Sequence, residues 1–536
     1  MPANQPPTAA STRRQPRRIA WAVAIALLGV ATGAGLTDSP DPYAGTLAPV
    51  PRSKIDHAVF SRLQSLGIQP ARLCPDAVFV RRAFLDTIGT LPTAAEVSAF
   101  IEDSKPDKRD ALVDRLLERP EFADFWAMKW CDLLRVKSEF PINLWPNAVQ
   151  AYHHWIRTAI RDNLPYDRFV REMLTASGSN FRVPQVNFYR AVQNRNPRSV
   201  AQAVALSFMG ARTDKWTDER VNGMAAFFSR VSYKSTSEWK EEIIYFDLAK
   251  AINTTTDAIF PDGTRIHIPQ GQDPREVFAN WLITPANPWF ARSVTNRVWS
   301  WLMGRGITEE TDDIRSDNPP INPELAALLE SAFVAGKYDL KQLYRMILKS
   351  QVYQLSCVPA SDTAVAARNF ASYPLRRLDA EVFIDAINQI TGQTEKYTSP
   401  IPEPFSFIPE SQRSIALADA SIDSPFLSLF GRSPRDTGLE AERDNSSNSA
   451  QSLHLLNSSH IRKKIEDSSR IRTLLQVKSS PREMVDKIYL TVMSRHPTGR
   501  ETAIAANYKA SGASSYRAGL DLVWALINTS EFQFRH

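Results

Sequence analysis

Two stretches concentrate the side chains able to do chemistry. "TDDIRSDNPPINPELAALL", residues 311 to 329, sets Asp312 and Asp313 side by side, with Arg315 just ahead of an Asn-Pro-Pro turn and an apolar helical stripe. "TNRVWSW" places Asn296 and Arg297 in a helix whose apolar face is Val294, Val298 and Trp301, and "FGRSPRDTGLEAERD" crowds Arg432, Arg435 and Arg443 around Glu440 and Glu442. Arginine's planar fork suits carboxylate, phosphate or sulfate, and Trp299 beside Arg297 could stack on a sugar ring. Two chemistries follow: a surface that grips anionic glycans, or an internal arginine-carboxylate network with Asp312, Asp313 and Glu440 as partners. For Asp312-Asp313 the surroundings favour scaffolding. Asn322 is placed to cap a helix starting at Pro323, Glu324 favours that helix's dipole, and Asp313 pairs with Arg315 or another arginine.

Signatures of common enzymes are missing. There is no Gly-x-Ser-x-Gly elbow, no Walker loop and no His-Glu-x-x-His, and "GRGITE" lacks the third glycine of a dinucleotide loop. A carboxylate-pair hydrolase would leave no mark in sequence, and Asp312, Asp313, Glu440 and Glu442 are the acids it would draw on. No Asp-x-Asp-x-Asp-Gly spacing surrounds Asp312-Asp313 to make a calcium loop. The adjacent pair His153-His154 lies in a helical stretch, where neighbours diverge by about 100° instead of converging on a metal. No metal or cofactor is expected.

The elements that would position these residues are helices. Of 536 residues, 43% are hydrophobic, with 12 Trp and 26 Phe, enough for more than one buried core. "PTAAEVSAFIED" offers Thr93 as N-cap and Glu96 to close a capping box, and "YLTVMSRHPTGRE" repeats the device with Thr498 and Glu501. "EFADFWAMKWCDLLRV" carries Phe122, Phe125, Trp126, Trp130 and Leu133 at helical spacing. Strand-like runs are few, the best being "EEIIYFD" and "TRIHIP" around a Pro-Asp-Gly turn at 261–263. The predicted fold is mainly α: two helical domains, 55–232 and 273–536, with a linker of short strands at 233–272.

The N-terminus reads as a targeting segment. Arg13, Arg14, Arg17 and Arg18 precede an uncharged run of 18 residues, Ile19 to Leu36, followed by a Pro-rich linker at 37–54. Residues 1–36 fit either a signal peptide or an uncleaved inner-membrane anchor, and both readings export the body to the periplasm or cell envelope. Without those four arginines the formal charge falls from +6 to +2, which argues against a nucleic-acid partner. Cys74, Cys131 and Cys357 are odd in number and far apart, so no disulfide framework is expected.

Six ordered blocks, among them "FVRRAFLDTIGTLPTAAEVSAFIED", "NPWFARSVTNRVWSWLMGRGI", "RRLDAEVFIDAINQITG" and "FLSLFGRSPRDTGLEAERDNSSNSAQSLHLLN", resemble the paired planctomycete cytochrome-type and planctomycete surface-type domains, domains of unknown function 1549 and 1553. The resemblance spans roughly 55–536 and implies an exported bacterial protein without an assigned activity. It also implies a Cys-x-x-Cys-His motif and a Cys-x-Cys motif in many relatives. Here the first region reads "FMGARTDKWTDERVNGMAAFFSR" and the second has Gly438, Leu439 and Ala441. A c-type haem needs two thiols and an axial histidine, so haem is not expected in this variant. The expected function is a cell-envelope structural or interaction protein, with envelope proteins as partners. The alternative is a binder or hydrolase of extracellular polysaccharide working through the Arg/Asp/Glu cluster between the domains.

Overall fold

The computed structural model describes residues 41–251, 255–476, 480–512 and 514–536. The arginine-flanked apolar segment 1–36, which carries the export reading, lies outside the described residues. Helix outweighs strand 53% to 7%, so the fold is mainly α with small antiparallel sheets.

Helix Asp76–Ile88 is buried on every side and is the first organiser of the body. Such a helix must satisfy each charge it carries from neighbouring elements. Arg81 donates to the carbonyls of Val492 at 2.9 Å and Phe532 at 3.2 Å. Arg82 donates to those of Tyr353, Leu355 and His536 at 2.6, 2.9 and 2.8 Å. One helix thus ties both halves of the chain together. It ends at Gly89 in the left-handed region, and the Thr93 and Glu96 capping box starts Ala94–Glu102. The matching box at Thr498 and Glu501 starts Gly499–Ala510.

Aromatic packing joins the halves at the centre. Helix Pro120–Leu133 lies against Pro146–Arg161, and its Trp126 and Trp130 reach rings from the later chain. The Trp126 and Tyr344 centroids are 4.2 Å apart, and those of Trp130 and Trp301 are 5.5 Å apart. Tyr166 stacks on Phe290 at 5.1 Å. The hydrophobic core runs unbroken from Ile55 to Phe532, so segments 55–232 and 273–536 share it.

Strands occupy the region between them. Glu242–Phe246 is the middle of a three-stranded antiparallel sheet, with Val231 opposite Phe246 and Gly178 opposite Ile244. Thr256–Ile259 pairs with Arg265–Ile268 across the 261–263 turn. The two strand-like runs seen in the sequence therefore each have a different partner and do not flank one hairpin. "TDAI" is too short and mixed to show alternation, which hid the true partner. A third ladder sets Arg376 opposite Arg535 and Arg377 opposite Phe534, bringing the C-terminus beside helix Ala380–Thr391.

Helix Phe290–Met303 packs between Pro197–Met209 and Pro323–Ala335. The loop after it folds back onto Gly210, whose carbonyl accepts the Ile314 amide at 2.8 Å. Gly210 has φ +58°, and a Cβ there would stand 2.9 Å from the Thr311 carbonyl oxygen. Only glycine allows the loop carrying Asp312 and Asp313 to settle this closely.

Candidate functional site

Asp312 is buried, and its fixed partner is Arg297, 2.9 Å from guanidinium to carboxylate with both side chains at most 2% exposed. Its second oxygen accepts the Glu440 backbone amide at 2.7 Å, and the Glu440 carboxylate stands 3.5 Å from the same guanidinium. Trp301 donates its indole N–H to Glu440 at 3.0 Å. Asn296 does not face this cluster. Its amide brackets Thr308, accepting the backbone N–H at 2.9 Å and donating to the carbonyl at 3.2 Å, which fixes the turn after the helix. Asp313 pairs with Arg315 at 2.8 Å. Asn322 caps Pro323–Ala335 through the Leu325 amide.

Trp299 is fully buried and meets Phe370 edge-on at 5.1 Å, so it has no face to offer a sugar. The tryptophan at the cluster is Trp301. Residues 299 and 301 are about 200° apart around a helix, and the apolar pattern fits either phase.

The arginines of 432–443 meet acids supplied by distant helices. Arg443 grips Asp132 at 2.7 Å and Glu381 at 2.6 Å. Arg435 takes the other Asp132 oxygen at 2.9 Å and donates to the carbonyls of Val136 and Ala418. Arg432 lies 3.5 Å from Glu381 and 3.8 Å from Asp423. Asp379 receives Lys129 at 2.9 Å and Arg535 at 2.8 Å, and Arg535 continues to Asp86 at 3.1 Å. Asp86 also meets Arg376 at 3.3 Å and accepts the hydroxyls of Tyr353 and Tyr373. With the Arg297 cluster beside it, seven carboxylates (Asp86, Asp132, Asp312, Asp379, Glu381, Asp423, Glu440) face seven cations (Lys129, Arg297, Arg376, Arg432, Arg435, Arg443, Arg535). The charge closes on itself without a bound ion.

Burial raises the Asp379 carboxyl, but Lys129, Arg535 and Arg443 outweigh it and hold the group well below the usual carboxylate range. Asp132 and Glu381 are likewise lowered, burial being opposed chiefly by Arg443. Between Lys129, Asp132, Trp301, Glu440 and Arg443 the open space is about 10 Å³, room for roughly one water. Glu442 is committed to the backbone amides of Thr437 and Gly438. The sequence pointed to Arg297, Arg432, Arg435 and Arg443 but missed Asp86, Lys129, Asp132, Arg376, Asp379, Glu381, Asp423 and Arg535. Lys129 and Asp132 did carry a signal, as charges interleaved with Trp126, Trp130, Cys131 and Leu133 in the last turns of a core helix.

Gly438, where the resemblance implies cysteine in relatives, has φ +80°, and a Cβ there would sit 2.6 Å from the Leu133 carbonyl oxygen and 2.8 Å from Arg135. Cys74, Cys131 and Cys357 are separate free thiols, and no three His, Cys, Asp or Glu gather as a metal-binding group among the described residues. The donors present do not fit a thioether-bound haem or a structural zinc. His153 is buried and its pKa is pushed down to about 3 by that burial, while His154 faces outward.

Away from the seam is an exposed aromatic group. Trp239, on the tip of the hairpin joining Val231–Ser235 to Glu242–Phe246, is 66% exposed, and Phe405 is 50% exposed. Both rings contact Trp145, at 6.3 and 5.6 Å, and the Lys240 ammonium lies 5.3 Å from Trp145 and 5.2 Å from Trp239. Phe140 and Phe407, on the same loops, are also exposed. Trp145 has φ +73° and ψ 147°, a region nearly reserved for glycine. Its loop is pinned by Asp419, which accepts the Ser138 amide at 3.0 Å, and by Ser421, which accepts the Glu139 amide at 3.1 Å.

Comparison with protein families matches residues 54–233 to PSCyt2, described as a protein of unknown function (DUF1549), and residues 274–509 to PSD1, described as a protein of unknown function (DUF1553). No curated protein matches the chain, and no solved structure does.

Asp312→Ala is expected to cost about 3 kcal/mol, because Arg297 is left buried with the Glu440 carboxylate at 3.5 Å as its remaining counter-charge. Arg297→Met combined with Asp312→Leu should recover most of that loss, as read by chemical denaturation. Equal losses in the single and double variants would contradict the pairing. For Asp379 the folded value is depressed, so its stabilisation is complete above the unfolded value near 4 and disappears as pH falls through the folded value. Asp379→Asn should therefore melt well below the parent at neutral pH, with the gap narrowing below about pH 4. A pH-independent gap would contradict the assignment.

Proposed function

The chain belongs to the PSCyt2 family over residues 54–233 and to the PSD1 family over 274–509, and from that premise we propose that it is an exported, non-catalytic interaction protein of the cell envelope. The observation that carries the reading is the contrast between two places. The Arg/Asp/Glu seam is charge-balanced and offers a ligand about 10 Å³, whereas Trp239 and Phe405 stand outward and pack on the half-buried Trp145, whose loop is held in place by Asp419 and Ser421. Exposed aromatic groups of this kind are the usual anchors of protein contacts, since they bury large areas while losing little side-chain entropy. A strained Trp145 supports the same reading, because backbone strain persists where surrounding structure enforces it and tends to gather at functional places.

Export rests on the basic and apolar N-terminal sequence, and an uncleaved segment 19–36 would hold the body at the membrane. The polysaccharide alternative asks for a hollow at Arg297, Asp312, Arg435, Glu440 and Arg443. The hydrogen bonds that already occupy those side chains speak against it.

With the photo-crosslinking residue p-benzoylphenylalanine placed at Trp239 in the native host, irradiation should give an adduct with one envelope protein. The same residue at exposed Leu375 should not. Trp239→Ala with Phe405→Ala should weaken that complex at least tenfold while leaving the melting temperature unchanged. Identical adducts from both positions, or an adduct removed by glycosidases, would contradict the proposal.

A further inference from the structure

The last three long helices enclose a cleft that nothing above uses. Helices Pro481–Val492, Gly499–Ala510 and Ser515–Ile527 surround about 300 Å³, lined chiefly by Met484, Val485, Ile504, Ala505, Ala518 and Leu522. This lies within the size range of small-molecule sites and is far larger than the single-water space in the polar seam. Helix Gly499–Ala510 has no buried residue, so one wall of the cleft is made by a helix that has not closed onto its neighbours.

The two ends of the cleft differ. At the mouth are Arg482 and Lys509, neither of which has an ion-pair partner among the described residues. At the other end is Tyr489, fully buried, whose hydroxyl lies toward Glu501 yet makes no hydrogen bond of normal geometry. Glu501 is already engaged elsewhere, since Arg495 takes both its oxygens at 2.7 and 2.8 Å and the Thr498 amide takes one of them at 2.7 Å. A buried hydroxyl without a partner costs stability unless something supplies one. Arg482 and Tyr489 are seven positions apart on one helix, about 10 Å at the helical rise.

We propose that this cleft binds a medium-chain acyl carboxylate, with the carboxylate between Arg482 and Lys509, the chain along the apolar wall, and an oxygen at the far end of the chain accepting from Tyr489. The dimensions set the length. The roughly 10 Å from Arg482 to Tyr489 along the helix matches an extended chain of about eight to ten carbons, and the 300 Å³ of the cleft leaves room for it. The two cations select an acid over an alcohol, and the buried tyrosine selects an ω-oxygenated chain over a plain one.

The test uses the full chain in a mild detergent with a diazirine-bearing decanoic acid as photoprobe. Label should fall on peptides within 481–527 and be displaced in the order ω-hydroxydecanoate, decanoate, decanol, with at least threefold between neighbours. Arg482→Gln with Lys509→Gln should erase the preference for acid over alcohol. Tyr489→Phe, which removes one oxygen and no volume, should erase the preference for the ω-hydroxy acid while keeping the melting temperature at or above the parent value. Ala518→Trp, filling the cleft, should lower labelling at least tenfold. If that variant fails to fold, the Tyr489→Phe result decides. Label scattered over the surface, displacement by phospholipid vesicles in preference to decanoate, label displaced only by a peptide spanning residues 19–36, or an unchanged displacement order in Tyr489→Phe would overturn the proposal.

Discussion

Burying an ion costs several kcal/mol unless opposite charge and hydrogen bonds replace the water it gives up, and that constraint fixes how the two halves of this chain meet. Arg443 shows it most fully. Its guanidinium reaches Asp132 from the first family segment and Glu381 from the second, and their charges hold Arg443 more firmly cationic than a free arginine despite complete burial. Neither half could bury its own charges alone. Lys129 would have no Asp379, Asp132 no Arg435, and Arg535 no Asp86. Shape complementarity comes from the interleaved rings of Trp126, Trp130, Trp301 and Tyr344, and register comes from the ions, which tolerate one arrangement only.

Such a network makes a poor binding site and a good scaffold. Its seven carboxylates and seven cations balance in charge, and Gly438 brings the 432–443 loop so near Leu133 that even a methyl group would clash. At a position where the resemblance implies cysteine in many relatives, Gly438 lies against the Leu133 carbonyl and Arg135. Rigidity at the seam also serves the surface. Asp419 and Ser421, just before the arginine-rich loop, hold the strand of chain that presents Trp145.

Local devices were legible in the sequence because their partners are two or three residues away. The Thr93 and Glu96 box, the Thr498 and Glu501 box, the Asn322 cap and the Asp313 to Arg315 pair all follow from spacing alone. The helical class and both family segments were equally legible, from periodicity and from ordered motif blocks. What the sequence could not show was choice of partner across hundreds of residues. Arg435 and Asp132 are 303 positions apart, and nothing in either neighbourhood specifies the other. Helix phase was the second blind spot. Trp299 and Trp301 differ by two positions, and only tertiary packing decides which is buried and which meets Glu440. The exposed aromatic group was also invisible, since Trp145, Trp239 and Phe405 come from three separate loops.

Differential scanning calorimetry tests most directly whether the ionic seam makes one body of two family segments. The account predicts a single transition at neutral pH, with calorimetric and van't Hoff enthalpies equal, because residues 54–233 and 274–509 cannot part without exposing the network. Two resolved transitions, each carrying part of the enthalpy, would contradict it.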